Sequence, residues 1–409
     1  MSLEKSPIDV LIITAVKDEL DVVREVESDW QRREDSSGYL YYMRRDKRDA
    51  GHALSMALAS PIDMGGDFAS NLATRPTNEL RPKCLAMVGI CAGWRGKVFL
   101  GDVIVADRVF RYDAGKLRAY QAGEGRVTDV FHDIRTYNLK PQWVQFAQDF
   151  GGDWINTIRA KRPLTQEYQT LWLLDSLDAF ESGMGEEPVR REDRKTKCPD
   201  WATVLQKLKD EALIRLSPRE HIIRLTNAGK AFLGEYRIVN PDGIKPDPDK
   251  PRVHVAPMGT GNRVVEDPDL FPTIALYERK VLGVEMEGSA VGVVAAVENV
   301  DHCIIAKSVT DYADLQKNDH FRHYAIEASY RFLVAFLKAH LPPTRAKTAD
   351  DREHVHLDLL RAVHLRLGSV RDWVNLHQQC QAINLNLVVL LGVMTANDLQ
   401  SALTDLQNI

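Results

Sequence analysis

The chain has 409 residues, is 44% hydrophobic and 27% charged, and carries a formal net charge of −5, so two or three domains with a sizeable core are expected and no global basic field advertises nucleic acid or an anionic membrane. The five cysteines, Cys84, Cys91, Cys198, Cys303 and Cys380, are scattered and odd in number, which suits reduced thiols in a cytoplasmic protein. No basic-then-apolar leader and no apolar run of about 18 residues is found, so neither secretion nor membrane spanning is expected.

Ile8-Asp9-Val10-Leu11-Ile12-Ile13-Thr14 has the profile of a buried first strand, and Ala15-Val16-Lys17-Asp18-Glu19-Leu20 places acids where a helix begins. Residues 39–59 suit a hairpin, and Met64-Gly65-Gly66 opens a helix expected over 67–74. Cys84-Leu85-Ala86-Met87-Val88-Gly89-Ile90-Cys91-Ala92-Gly93-Trp94 is a strand running into small residues, which lets a ligand approach the backbone closely. Another strand is expected within 100–107.

Helices are expected over 143–158 and 164–180, with Trp154 and Trp172 in a core, followed by a charged linker over 186–197. A helix from Trp201 to Leu208 and apolar runs at 212–214 and 222–225 come next, then a proline-rich return linker over 240–251. Val253 to Met258 resumes the sheet and enters Gly259-Thr260-Gly261-Asn262-Arg263-Val264-Val265. Beyond it, Gly283-Val284 leads into Glu285-Met286-Glu287 and a helix of small and apolar residues reaching Val297. His302 to Val309 reads as a central strand that delivers Thr310-Asp311 at its C-terminal end, where ligands of α/β sheets bind. A polar loop over 315–323 precedes a helix over 324–340. The last segment has helix-spaced Leu, Val, Trp and Ile, and its His354, His356, His364 and His377 lack metal-ligand spacing, so no metal is expected there.

VEMEGSA, followed about two dozen residues later by SVTDYAD, resembles the superfamily of purine nucleoside phosphorylases and methylthioadenosine/S-adenosylhomocysteine nucleosidases. TAVKDEL after the first strand and VGICAG followed by LGDVIVAD resemble it in the same order, and the likeness covers 8–137 and 253–340. It implies an α/β fold, a nucleoside phosphorylase-like mixed sheet flanked by helices. The implied domains are a nucleosidase core in two parts (1–137 and 253–343), an insertion over 138–252 and a helical adaptor or oligomerisation module over 354–409. Within the insertion, residues 201–229 resemble the helix-then-wing part of winged-helix domains.

The resemblance also assigns roles. Glu287 and Met286 hold the ribose, Asp311 meets the purine as general acid, and Glu19 positions the attacking water. Cys91, Ala92, Gly93, Val264 and Val265 contact the base, while Phe321 and Lys317 face the 5′ side. Glu285 and Asp314 are left as structural. Phosphorylase relatives place an Arg and a Ser where this chain has Met87 and Ile90, and neither of these can hold phosphate, which argues for water as nucleophile. Loops similar to DYADLQKNDHF occur in nucleosidase domains of bacterial antiphage and fungal immune-receptor proteins. The implied function is an N-ribosyl hydrolase of purine, chiefly adenine, nucleosides or nucleotides, with an antiphage ATP nucleosidase as the leading form. A methylthioadenosine/S-adenosylhomocysteine nucleosidase, a phosphorylase and a non-catalytic nucleotide sensor are the alternatives. A small-molecule substrate, a homo-oligomer and a protein partner or activator at the C-terminal module are expected, without cofactor, nucleic acid or membrane.

Overall fold

A computed structural model describes residues 8–36, 38–47, 53–122, 125–217, 222–244 and 247–342. The chain divides into two units, Met1–Pro343 and Thr344–Ile409. All described residues belong to the first, so the expected module over 354–409, with its four histidines, lies outside them.

The first half of the core runs β1 (Val10–Ile13), α1 (Lys17–Val26), β2 (Gln31–Glu34), β3 (Leu40–Lys47), β4 (Ala53–Ala59), α2 (Gly66–Leu80), β5 (Cys84–Met87), β6 (Ile90–Gly93) and β7 (Val103–Arg111). After the hairpin β8 (Gly115–Ala122) and β9 (Gly125–His132) come β10 (Thr136–Asn138), α3 (Pro141–Gln148), α4 (Asp153–Arg159), α5 (Gln166–Glu181), α6 (Arg194–Lys197) and α7 (Trp201–Asp210). A second hairpin, β11 (Ile214–Ser217) and β12 (Ile222–Leu225), and α8 (Asn227–Val239) complete the insertion. The core then resumes with β13 (Val253–Thr260), α9 (Leu270–Ala275), β14 (Gly283–Glu285), α10 (Gly288–Val297), β15 (His302–Asp311) and α11 (Arg322–His340).

Eleven of these strands form one mixed sheet flanked by helices, in the order β10-β7-β13-β14-β6-β15-β5-β1-β4-β3-β2. Side chains alternate along a strand, and here both faces are covered. Val10 and Ile12 of β1 pack with Phe332, Leu333 and Phe336 of α11. Leu11 and Ile13 join Leu72 and Ala73 of α2 and Val291 and Val294 of α10 on the opposite face. The first strand is therefore apolar without interruption.

β15 organises the site end of the sheet. Its first half pairs in parallel with β5, its second half in parallel with β6, and Ala306–Ser308 pair antiparallel with β7. Since β7 pairs with β13, β13 with β14 and β14 with β6, the five strands β15, β6, β14, β13 and β7 close on themselves. β14 therefore runs antiparallel to β15, and the two meet across β6, where Val284 and Asp311 both pair with Ala92.

Local details depart from expectation. The helix expected over 143–158 is two helices, broken at Gly151-Gly152, where Gly152 has φ +117°. Trp143 and Trp154 pack with α11 in the main core, whereas Trp172 belongs to a separate core with Leu208 and Leu225. Helix α2 continues through Pro76 to Leu80 rather than ending near Thr74. Over residues 201–239, α7, the β11–β12 hairpin, an LTxxG turn at Leu225-Thr226-Asn227-Ala228-Gly229 and α8 follow one another. The LTxxG turn has a physical cause: Thr226 Oγ1 accepts from the Gly229 N–H at 3.0 Å, and a Cβ at Gly229 would lie 2.1 Å from the Leu213 carbonyl oxygen. No helix among the described residues is long and apolar enough to cross a membrane.

Candidate active site

Three acids arrive from three separate elements. Glu19, in the first turn of α1, is 1% exposed; its Oε2 accepts from the Ala15 N–H at 2.6 Å and its Oε1 from the Ile90 N–H at 3.0 Å. Gly89, between β5 and β6, makes room for it. At φ +134° a Cβ there would stand 2.4 Å from Glu19 Oε1. Gly89→Ala is therefore expected to expel the Glu19 carboxylate and to destabilise the fold by about 1–3 kcal/mol, read from urea midpoints.

Glu287 follows β14 and is the residue before α10, with no capping hydrogen bond to its own side chain. Its Oε1 accepts from the Gly65 N–H at 2.8 Å, and it is 3% exposed. Glu285, two residues earlier, accepts from the Thr260 hydroxyl at 2.6 Å and from the Glu287 and Gly288 N–H groups at 2.9 and 2.7 Å. The two N–H groups stand at the N-terminus of α10, where a carboxylate is stabilised, and Thr260 ends β13; Glu285 also lines the cavity that Glu19 and Glu287 share. Asp311 ends β15; its Oδ1 accepts from the Ala313 N–H at 2.9 Å and its Oδ2 from the Thr310 hydroxyl at 3.0 Å.

A cation overlooked in the sequence sits among the acids. Lys307, in mid-β15, is completely buried, with Nζ 3.8 Å from Glu285 Oε2 and 4.0 Å from Glu287 Oε2, and makes no hydrogen bond. Burial pulls its pKa down, but Glu19, Glu285 and Glu287 outweigh that and hold it above the usual lysine value. The signal was available, because a lysine inside the apolar run HCIIAKSV of a central strand has to find buried acids.

Burial pushes the Glu287 carboxyl up to about 7; Lys307 opposes this and Glu285 adds to it. Because the folded protein keeps a proton that the unfolded chain releases near the ordinary 4.5, Glu287 withdraws stability as pH rises from about 4.5 to 7. Urea midpoints are expected to fall across that window in the wild type and to fall less in Glu287→Gln.

One cavity of ≈ 180 Å³ is lined by Glu19, Cys91, Ala92, Val264, Val265, Met286, Glu287, Asp311 and Lys317, nine of the residues singled out from the sequence. Arg263, Thr310 and Arg322 share its wall. Burial raises the Cys91 thiol far above its ordinary value, which makes it a wall rather than a nucleophile. Ile90 also lines the cavity, while Met87 is fully buried in the sheet, so neither offers a phosphate a donor side chain.

Two expected contacts are displaced. Gly93 is not on the cavity wall; its lack of a side chain serves packing, since a Cβ would lie 2.5 Å from Val98 and 2.7 Å from Val309. Phe321 is also off the wall. As the residue before α11 it is turned inward and fully buried, edge-on to Tyr324 at 6.1 Å, with the Arg162 guanidinium 5.3 Å from its ring centre.

The cavity thus has carboxylates at Glu19, Glu285, Glu287 and Asp311, apolar wall residues among them and cations at Arg263, Lys317 and Arg322. It suits a hydroxylated, partly planar and anionic small molecule.

No family model matches the chain. It is 33% identical over 108 residues to the ATP nucleosidase Cap17 of Escherichia coli (strain KTE188), covering 26% of this chain and 21% of that protein. It is 33% identical over 76 residues to the uncharacterized protein y4jS of Sinorhizobium fredii (strain NBRC 101917 / NGR234), 18% of each. The chain therefore spans about a fifth of the length of these relatives. Among solved structures, a 5′-methylthioadenosine/S-adenosylhomocysteine nucleosidase from S. pneumoniae aligns over 81% of this chain and 99% of its own, at 16% identity and a TM-score of 0.45. A futalosine hydrolase mutant of Helicobacter pylori strain 26695 aligns over the same shares at 12% identity and a TM-score of 0.45. The resemblance to the nucleoside phosphorylase and nucleosidase superfamily, read from VEMEGSA and SVTDYAD, is borne out by the similarity to a bacterial nucleosidase over 108 residues.

Proposed function

We propose that this protein is an N-ribosyl hydrolase that cleaves the N-glycosidic bond of purine, chiefly adenine, nucleosides or nucleotides. The observation that carries the reading is the convergence of Glu19, Glu287 and Asp311 on one cavity from three elements far apart in sequence. Breaking the bond leaves positive charge on the ribose and negative charge on the departing base. Ionised Glu287 accepts from the ribose hydroxyls and its charge favours the oxocarbenium-like transition state, with Met286 as the apolar wall. Asp311 protonates the base, and its second oxygen accepts from a 6-amino group. Glu19, held by two backbone N–H groups, orients the attacking water and takes its proton as the water oxygen bonds to the ribose carbon that loses the base, balancing the proton that Asp311 gives up.

Water rather than phosphate is the nucleophile, because Met87 and Ile90 offer no charged donor. Arg263, Lys317 and Arg322 on the cavity wall favour a 5′-phosphorylated substrate, and the similarity to an ATP nucleosidase supports a nucleotide-depleting antiphage effector. Ile62 and Met64 before α2 and Phe68 in its first turn are exposed apolar side chains, 85%, 47% and 46%, of the kind that a homo-oligomer would cover.

The test is incubation with ATP, AMP, adenosine, methylthioadenosine and S-adenosylhomocysteine, with and without phosphate, and chromatography of the free base. Adenine released at the same rate in both buffers, with no ribose 1-phosphate product, is expected. Strict dependence on phosphate would overturn hydrolysis, and no base from any substrate would leave a nucleotide-binding sensor.

A further inference from the structure

The insertion does more than decorate the core: it grips the loop that carries Lys317 and leads into Arg322, the first residue of α11. This loop, residues 312–321, leaves the end of β15 and enters α11. Its first part is held by the core, since Arg95 reaches Asp314 at 2.7 Å and Gln316 at 3.3 Å and lies 4.2 Å from the centre of the Tyr312 ring. Its last part is held by the insertion. His320 Nε2 donates to the Leu164 carbonyl at 2.9 Å and lies 3.3 Å from Asp200 Oδ2.

That socket is prepared in advance. Gln169, completely buried in α5, donates to the Leu164 carbonyl at 3.1 Å and to Asp200 Oδ2 at 2.6 Å, while its own oxygen accepts from the Asp200 N–H at 2.9 Å. The next residue, Phe321, is the buried ring beside Arg162, and Arg162 in turn donates to the Leu100 carbonyl of the core at 2.6 Å. Between these two anchors the loop spans open space. A polar chamber of ≈ 350 Å³ separates residues 314–318 from Thr165, Glu167, Lys207 and Glu211 of the insertion, and Lys317 borders both this chamber and the substrate cavity.

We propose that His320 is a positioning residue and that the insertion, through its Leu164–Gln169–Asp200 socket, sets the place of Lys317 and Arg322 at the cavity and so the affinity for a substrate's phosphates. A long side chain over an open chamber holds a fixed position only if both ends of its loop are fixed. The proposal rests on the hydrolase reading only for the identity of the anion.

The test uses the full chain, with inorganic tripolyphosphate as the calorimetric probe and base release from ATP and adenosine as the kinetic one. His320→Ala is expected to weaken tripolyphosphate about tenfold, the scale of one charge-assisted contact. KM for ATP rises by a similar factor, kcat stays within about twofold, and KM for adenosine does not move. His320→Gln, which still donates to the Leu164 carbonyl, restores most of the affinity. Asp200→Asn weakens tripolyphosphate about threefold and adds nothing to His320→Ala, and it alone decides the matter if His320→Ala does not fold. Unchanged tripolyphosphate affinity in the folded variants, equal losses for ATP and adenosine, or a wild type that does not bind tripolyphosphate would overturn the proposal. Absence of base release from every substrate would remove the hydrolase reading instead, and the binding measurement would still decide the role of His320.

Discussion

Asp311→Asn is expected to lower base release by about 10²–10⁴-fold without unfolding the protein, the range set by losing a positioned general acid. Asparagine keeps an oxygen for the Ala313 N–H, now 2.9 Å from Oδ1, and its amide can donate to the Thr310 hydroxyl where the carboxylate accepted from it. The local hydrogen bonds survive, and what disappears is the transferable proton. Glu287→Gln is expected to lose a similar factor for a different reason. Its amide oxygen still accepts from Gly65, but the negative charge that favours the ribosyl cation is gone. An unchanged melting temperature for Asp311→Asn, one at least as high as the wild type's for Glu287→Gln above pH 7, and base release lowered by that factor in both are the expected results. Full turnover in either variant would sink the assignment of roles.

These acids are legible in the sequence because each stands at the end of an apolar run whose period identifies its element. Glu287 follows a short strand and opens a small-residue helix, Asp311 closes a ten-residue strand, and Glu19 begins an amphipathic helix. β1 and β15 both run parallel to β5, which brings Glu19 and Asp311 to one end of the sheet, whereas β14 runs the other way and Glu287 joins them because Val284 and Asp311 flank Ala92. The order of the motifs marked these acids, and the pairing brings them together. Phe321 was not legible in this way. Whether an aromatic before a helix faces the ligand or the core depends on the path of the loop, and that path is fixed by Arg162 and the His320 socket about 120 to 160 residues earlier in the chain. The break at Gly151-Gly152 was readable from the glycine pair, whereas the continuation of α2 through Pro76 was not, because tertiary packing of Leu72, Thr77 and Leu80 outweighs local propensity.

Lys307→Met is expected to destabilise the protein by about 3–5 kcal/mol near pH 8, the cost of removing one partner from a buried ionic group. Methionine fills a similar volume, so cavity formation contributes little, and the loss is electrostatic. With the ammonium gone, Glu19, Glu285 and Glu287 face one another from 1%, 7% and 3% exposed positions without the cation that now lies 3.8 to 4.0 Å from two of them. The remaining carboxylates can relieve the repulsion by taking up a proton, and Glu287, already pushed up to about 7 by burial, is the one placed to do so. Its pKa should therefore rise further in the variant, so the deficit shrinks as pH is lowered. Urea midpoints for wild type and Lys307→Met at pH 8 and pH 5.5 measure this, with Lys307→Arg as the charge-keeping control. A methionine variant as stable as wild type at both pH values would mean that the buried lysine does not hold the acids in place. The same proton that rescues stability would neutralise the group meant to favour the ribosyl cation, so base release by Lys307→Met should stay low under the acidic conditions that restore the fold.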